Sequence, residues 1–177
     1  ISDRPTYWMA PHGVVKSNQV IMDFDKLTIL DSMMLAVAQA KYEYPHRMFD
    51  EKRVYEGNLE RMQQYLDYFE LGDPYRFAGS AGEKKLLDII RCLLLEPRFL
   101  LLDEPFTGLD PVNVDLIRES ILELRSGGST VIFSTHDMNV AERLCDYIFM
   151  IFNGKKVLDG TLSDIRQQYG KDTVRIR

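Results

Sequence analysis

From about residue 91 onward, short apolar runs alternate with stretches whose apolar positions recur every three or four residues. That alternation predicts parallel strands joined by helical crossovers. Phe99 to Leu102 is uniformly apolar and reads as a fully buried strand, ended by Pro105, which cannot donate to a ladder. Asp110-Pro111 then opens a helix. Aspartate accepts from the unpaired N–H groups of a first turn, and proline suits the first helical position. Leu116, Ile117, Ile121 and Leu124 keep the helical period up to a stop at Gly127-Gly128. Thr130 to Ser134 reads as a second strand, followed by a helix carrying Val140, Ala141 and Leu144, with Asn139 as its cap and Glu142 as the capping partner.

Tyr147 to Phe152, Asn153-Gly154 and Lys155 to Leu158 read as strand, two-residue turn and returning strand, a meander closing the core. Thr161 is placed to cap a short helix reaching about Gln168, and Asp172 to Arg177 reads as a terminal strand. Before residue 91 the pattern changes. Leu30 to Tyr42 and Asn58 to Leu71 are helix-like, and Tyr42 to Tyr55, with Pro45 and His46, reads as their connection. The first half is therefore expected to hold a helical subdomain.

With 177 residues, 45% of them apolar, the chain is long enough for one domain with a real core, with or without a small appendage. A net charge of −5 with no basic stripe argues against a nucleic-acid partner. Cys92 and Cys145 lack metal-type spacing and read as core thiols in a reducing compartment. No apolar run approaches the roughly 20 residues of a membrane helix, and the first residues lack the zones of a signal peptide. The start at Ile1 rather than Met, and the strand-like end, suggest a partial chain.

The apolar run from Phe99 ends in two adjacent carboxylates, Asp103 and Glu104, within Asp103-Glu-Pro-Phe-Thr-Gly-Leu-Asp110. In open α/β sheets, ligands bind beyond the carboxyl ends of the strands, so the pair stands where nucleotide phosphates would lie. Asp103 is suited to hold Mg2+, and Glu104 to orient a water or take its proton near a γ-phosphate. Two acids capping a turn is the plainer reading of the same residues. His136, just after the second strand, emerges on the same sheet edge if the strands are neighbours; its imidazole could donate to a γ-phosphate oxygen. The glycine-rich phosphate loop G-x-x-x-x-G-K-[ST] does not occur in these 177 residues.

The order of these elements resembles the ATPase domain of ATP-binding-cassette transporters, from about Gln19 to about Gly160. Asp103 and Glu104 resemble the Walker B strand, Thr107-Gly-Leu-Asp110 the D-loop, and His136 the switch histidine. Gln19, followed eight residues later by Leu27-Thr28, resembles the Q-loop, and Gly13 to Val15 the strand that leads to it. Counting twelve residues back from Arg91-Cys-Leu93 reaches Gly79-Ser-Ala-Gly-Glu83, in the place of the signature motif L-S-G-G-Q. Ser80 and Gly82 fit it; Gly79 and Ala81 depart from it. A hydroxyl and N–H groups opening a helix make an anion site, and the same residues equally suit an ordinary Ser80 cap with Glu83 as partner.

The resemblance implies an α/β fold: the C-terminal part of a P-loop NTPase, with a parallel-sheet core and a helical subdomain. Residues 1–90 would hold the Q-loop region and the helical subdomain ending in the signature motif. Residues 91–160 would form the α/β core, and 161–177 the start of a C-terminal extension. Tyr169 to Arg177 looks like that of exporter-type members. The phosphate loop and the base-stacking aromatic would lie upstream of Ile1. The implied function is the ATP-binding subunit of a membrane exporter, at the cytoplasmic face of the membrane. It would dock on a transmembrane permease and pair head to tail with a second ATPase subunit, using ATP and Mg2+. Glu104 and His136 would be catalytic, Asp103 and Gln19 would hold the metal, and Gln19, Ser80, Gly82 and Asp110 would contact nucleotide. The alternatives are a non-catalytic, degenerate module without a phosphate loop, and a soluble cassette ATPase of DNA repair or translation. By itself the 177-residue chain is expected to be marginal or aggregation-prone, because strand edges and apolar surface would be uncovered.

Overall fold

A computed structural model of the chain describes residues 9, 12–17, 27–41 and 51–169. They belong to two compact units, Ile1–Ser134 and Thr135–Arg177.

The first unit is built on a parallel three-stranded sheet of β1 (Val14–Lys16), β2 (Phe99–Leu102) and β3 (Thr130–Phe133), with β2 in the middle. Val15, Leu100 and Val131 are level across it, as are Leu102 and Phe133 on the last two strands. Side chains alternate between the faces of a strand. Val15, Leu100 and Leu102 are buried, whereas Phe99 and Ile132 on the opposite face are 45% and 58% exposed. The expectation of a fully buried β2 is thus corrected. An unbroken apolar run looks the same whether one face or both are covered, and packing decides which.

Four helices supply the covering layer: α1 (Ile29–Lys41), α2 (Glu51–Tyr68), α3 (Ala81–Leu94) and α4 (Pro111–Ser126). Each sends an apolar stripe into one cluster with the sheet: Ile29, Met33 and Val37 from α1, Met62 and Leu66 from α2, Ile117 and Ile121 from α4. α3 buries Leu86, Leu87, Ile89, Ile90, Cys92, Leu93 and Leu94. So wide an apolar surface makes it the central pillar rather than an outer helix. α2 begins earlier than its apolar pattern predicts, so Glu51 to Tyr55 are helical rather than part of a connection. Its opening Glu-Lys-Arg residues favour helix through propensity and add no apolar period. Pro45 and His46 lie outside the described residues.

Local chemistry sets the helix ends. Thr28 Oγ1 accepts from Asp31 N–H at 3.1 Å and donates back to its carboxylate at 2.7 Å. The next donors of α1 go to a distant loop: Ile29 N–H to Arg76 O at 3.0 Å, Leu30 N–H to Pro74 O at 2.9 Å. Asp110 caps α4 with Pro111 in its first turn, and the helix stops at Gly127, as the sequence predicts.

The second unit holds α5 (Met138–Leu144), the antiparallel pair β4 (Tyr147–Phe152) and β5 (Lys155–Thr161), and α6 (Leu162–Tyr169). Val140, Ala141 and Leu144 are buried. The cap of α5 is Asp137, whose carboxylate accepts from Asn139 N–H at 2.8 Å. The expected Asn139 cap is corrected: a charged acceptor two residues earlier takes the donor that Asn139 itself presents. Asn153 and Gly154 turn the hairpin with φ of 48° and 72°, the left-handed pair that matches strand twist. The hairpin forms a sheet of its own rather than a meander on the first. Thr161 caps α6 with Asp164 as partner, Thr161 Oγ1 donating at 2.7 Å and accepting from Asp164 N–H at 3.2 Å. The strand expected from Asp172 to Arg177 lies outside the described residues.

Candidate active site

β2 ends at Leu102, and the chain turns through Asp103, Glu104 and the buried Pro105. Glu104 takes φ of 45°. A non-glycine residue persists in that left-handed region, at a cost of about 1–2 kcal/mol, only where its surroundings over-determine it. Here they do. Glu104 N–H donates to Ser134 Oγ at 2.9 Å, and Glu104 O accepts from Thr107 N–H at 3.2 Å and from Lys85 Nζ at 2.5 Å. Thr107 Oγ1 donates to the Glu104 carboxylate at 3.1 Å.

Asp103 is fastened from both neighbouring strands. Its N–H donates to the buried Ser17 Oγ, just past β1, at 3.3 Å. Ser134, just past β3, donates its hydroxyl proton to Asp103 Oδ1 at 2.5 Å. Register explains the convergence: the ladder carries on past the strands, with Ser17 N–H on Leu101 O and Ser134 N–H on Leu102 O. Both serines therefore stand level with the acidic pair.

The helix α3 borders the same turn. Lys85 Nζ also reaches Thr107 O at 2.7 Å, and a Cβ added at Gly82 would lie 3.0 Å from Gly108 O. Burial holds the Lys85 ammonium below the usual lysine range, while the Glu104 and Asp103 charges pull the other way. At the start of α3, Ser80 Oγ accepts from Glu83 N–H at 3.1 Å, and the Glu83 carboxylate accepts from Gly79 N–H at 2.5 Å. Arg76 pairs with Glu83 and donates to Leu71 O at 2.8 Å. That guanidinium is the main cause of a Glu83 carboxyl held below the usual range. The structure thus makes Ser80 a helix cap with Glu83 as its partner.

Asp110 accepts from Val112 N–H and Asn113 N–H, each at 3.1 Å, and from Asn113 Nδ2 at 2.5 Å. Those bonds, Asn113 N–H foremost, hold its carboxyl low. His136 belongs to the second unit, between Thr135 and the Asp137 cap of α5, whose carboxyl is held low chiefly by the Asn139 N–H. Gln19 lies outside the described residues. Glu104 and Thr107 are thus joined to Lys85 of α3, with Gly82 against Gly108 one turn earlier, while Asp103 is held from the strand side by Ser17 and Ser134.

Among the described residues, no three His, Cys, Asp or Glu side chains group to hold a metal by themselves. Oxygen donors stand at Asp103: its own carboxylate and the hydroxyls of Ser134, on that carboxylate, and Ser17, on its N–H. Such a set suits a hard cation that keeps several waters and takes the rest of its ligands from substrate phosphates, the habit of Mg2+.

Residues 17–142 match the family model described as "AAA domain, putative AbiEii toxin, Type IV TA system". The chain is 40% identical over 145 residues to the uncharacterized ABC transporter ATP-binding protein YhaQ of Bacillus subtilis, covering 75% of this chain and 49% of that one. The high-affinity branched-chain amino acid transport ATP-binding protein BraF of Pseudomonas aeruginosa is 30% identical over 176 residues, 94% of this chain and 68% of its own length. The chain belongs to the ABC transporter ATP-binding family. A solved ATP-binding subunit of an ABC transporter superposes with a TM-score of 0.75 at 30% identity, over 89% of this chain and 62% of that one. The α/β fold expected from the resemblance, a P-loop NTPase core with a helical subdomain, is thereby shown. This ABC chain spans about half the length of YhaQ.

In this ABC chain, reasoning along the sequence missed Ser17, Ser134 and Lys85. The serines could have been found as the first polar residues after two strands level with Phe99–Leu102. Lys85 carries no such local mark; it lies five residues past Ser80 on a helix that only folding brings against the turn.

Proposed function

We propose that this protein is the ATP-binding subunit of an ABC-type membrane exporter and couples ATP hydrolysis to transport. The observation that carries the reading is the acidic turn: Asp103 and Glu104 leave the carboxyl end of the central strand, where α/β sheets place ligands, held by hydroxyls from both neighbouring strands.

Asp103, with one carboxylate oxygen on the Ser134 hydroxyl, would hold Mg2+, which when bound would supply charge neutralisation for phosphoryl transfer. Glu104 orients the attacking water and accepts its proton. Gln19 would join Asp103 in holding the metal, and His136 would donate to a γ-phosphate oxygen. Ser80, Gly82 and Asp110 face the nucleotide held by the opposite subunit of a head-to-tail dimer. In this scheme residues 1–90 carry the Q-loop and helical subdomain, 91–160 the hydrolytic core and 161–177 the start of the extension. The dimer docks on a transmembrane permease at the cytoplasmic face of the membrane. Among the described residues no helix is long and apolar enough to cross a membrane. The export direction rests on the likeness of Tyr169 to Arg177 to exporter-type members.

The test is Glu104→Gln in the intact protein with its permease. Losing a positioned general base lowers kcat by about 100-fold or more, with ATP still bound. Unchanged turnover overturns the assignment. A second reading has its own observation: G-x-x-x-x-G-K-[ST] is absent from these 177 residues. On that reading the protein is a non-catalytic, regulatory cassette. Calorimetric titration with ATP, expected to show weak binding to the 177-residue chain and ordinary affinity in the intact subunit, separates the two.

A further inference from the structure

We propose that Lys85 is a positioning residue that locks the left-handed Glu104 turn onto helix α3. It thereby fixes where the Glu104 carboxylate points, an inference that rests on the catalytic role proposed for Glu104.

Lys85 projects from the second turn of α3, and its ammonium bridges two backbone carbonyls three residues apart, Glu104 O at 2.5 Å and Thr107 O at 2.7 Å. These carbonyls begin and end the turn that follows the acidic pair. Glu104 O already accepts from Thr107 N–H, so the ammonium adds a second, charged donor to the bond that closes the turn. One helical turn earlier on the same face, Gly82 has no Cβ, and one there would come within 3.0 Å of Gly108 O. Gly82 lets α3 approach; Lys85 then joins the two.

This arrangement answers a difficulty in the turn itself. Glu104 sits at φ of 45°, a conformation that an unrestrained glutamate leaves readily. Ser134 holds its N–H and Thr107 its carboxylate, but both are hydroxyl bonds at partly exposed positions, which water can replace. Lys85 is the one charged group that these bonds bring to the Glu104 carbonyl. A charge-assisted bond is roughly twice as strong as a neutral one. The ammonium acts through the backbone and leaves the carboxylate to face a water. It also makes α3, capped at Ser80, and the Glu104 turn move as one body.

The experiment is Lys85→Met in the intact protein with its permease, read by amide hydrogen exchange and by steady-state kinetics. Methionine keeps the length and apolar stem and removes the charge and all donors. Exchange at Glu104 to Gly108 is expected to rise about tenfold or more, the equivalent of a lost charged hydrogen bond, with Leu86 to Leu94 unchanged. kcat is expected to fall about 100-fold, as misplacement of a reacting group does, with KM for ATP altered less than about threefold. Lys85→Arg, still charged and able to donate twice, is expected to recover most of both. Lys85→Gln can reach only one carbonyl and provides a second variant, should Lys85→Met not fold; its exchange is expected to fall between Met and wild type. Unchanged exchange at Glu104 to Gly108 in Met or Gln overturns the proposal, as does a kcat that survives the loosened turn. The Glu104 assignment fails separately, through Glu104→Gln retaining turnover, and the exchange result then still decides whether Lys85 holds the turn.

Discussion

Ser134 and Asp103 meet through a single hydroxyl: Ser134 Oγ donates to Asp103 Oδ1 at 2.5 Å while the same oxygen accepts from the N–H of the next residue, Glu104, at 2.9 Å. One side chain just past β3 therefore orients both members of the acidic pair at the end of β2. Alanine at position 134 removes a donor and an acceptor together. Because the site is exposed, water compensates in part, and the expected cost is about 1 kcal/mol in denaturant unfolding. If Asp103 and Glu104 act as proposed, the intact Ser134→Ala subunit loses kcat with little change in KM. A variant equal to wild type in both measurements contradicts this view of the hydroxyl.

Gly82 is required by space. The 3.0 Å separation between its absent Cβ and Gly108 O is tighter than most real Cβ contacts, and the neighbour is backbone, which has to give way rather than swing aside. Gly82→Ala is expected to destabilise by about 1–3 kcal/mol as α3 is pushed off the turn. Thermal unfolding checks it; an unchanged midpoint would mean the two segments separate at no cost.

Glu83 provides a pH signature. Its carboxyl is held below its ordinary value of 4.5, chiefly by the Arg76 guanidinium, so the folded state binds that proton less readily than the unfolded chain. The resulting stability is fully present above about pH 4.5 and disappears as pH falls through the lowered value. Arg76 is partly exposed, so solvent screening keeps the effect small. Glu83→Gln is expected to flatten stability against pH below 4.5 relative to wild type; parallel curves for the two proteins refute the pairing.

The two thiols should part company. Cys92, buried on α3, has its thiol pushed up to about 12 by burial, whereas half-buried Cys145 is raised for the same reason but remains reachable. Thiolate is the reactive form. An alkylating reagent at neutral pH is therefore expected to label Cys145 first and Cys92 only on unfolding, read by peptide mass mapping. Early labelling of Cys92 would show α3 to be loosely packed.

The division between what could and could not be read along the chain follows the reach of each interaction. Phe99–Leu102, the Asp110-Pro111 helix start, the Asn153-Gly154 turn and the Ser80 cap are specified by neighbours within four residues, and each stands where its local chemistry points. The errors have the same origin. Asp137 rather than Asn139 caps α5 because two acceptors compete within three residues, and the start of α2 leaves no periodic mark because charged helix formers carry none.

Period, capping and motif spacing are written in local chemistry, and they are enough to specify the parallel order of strands and helices, the acidic pair at a strand's end and the family these residues resemble. Folding alone brings Ser17 and Ser134 together on Asp103, covers one face of β2, and lets Lys85 grip the Glu104 turn from a helix nineteen residues earlier. Those contacts join segments between nineteen and eighty-six residues apart. No local pattern encodes them, because they arise when α3 and the strands bury their shared apolar face and the polar residues at its edge are brought within hydrogen-bonding reach.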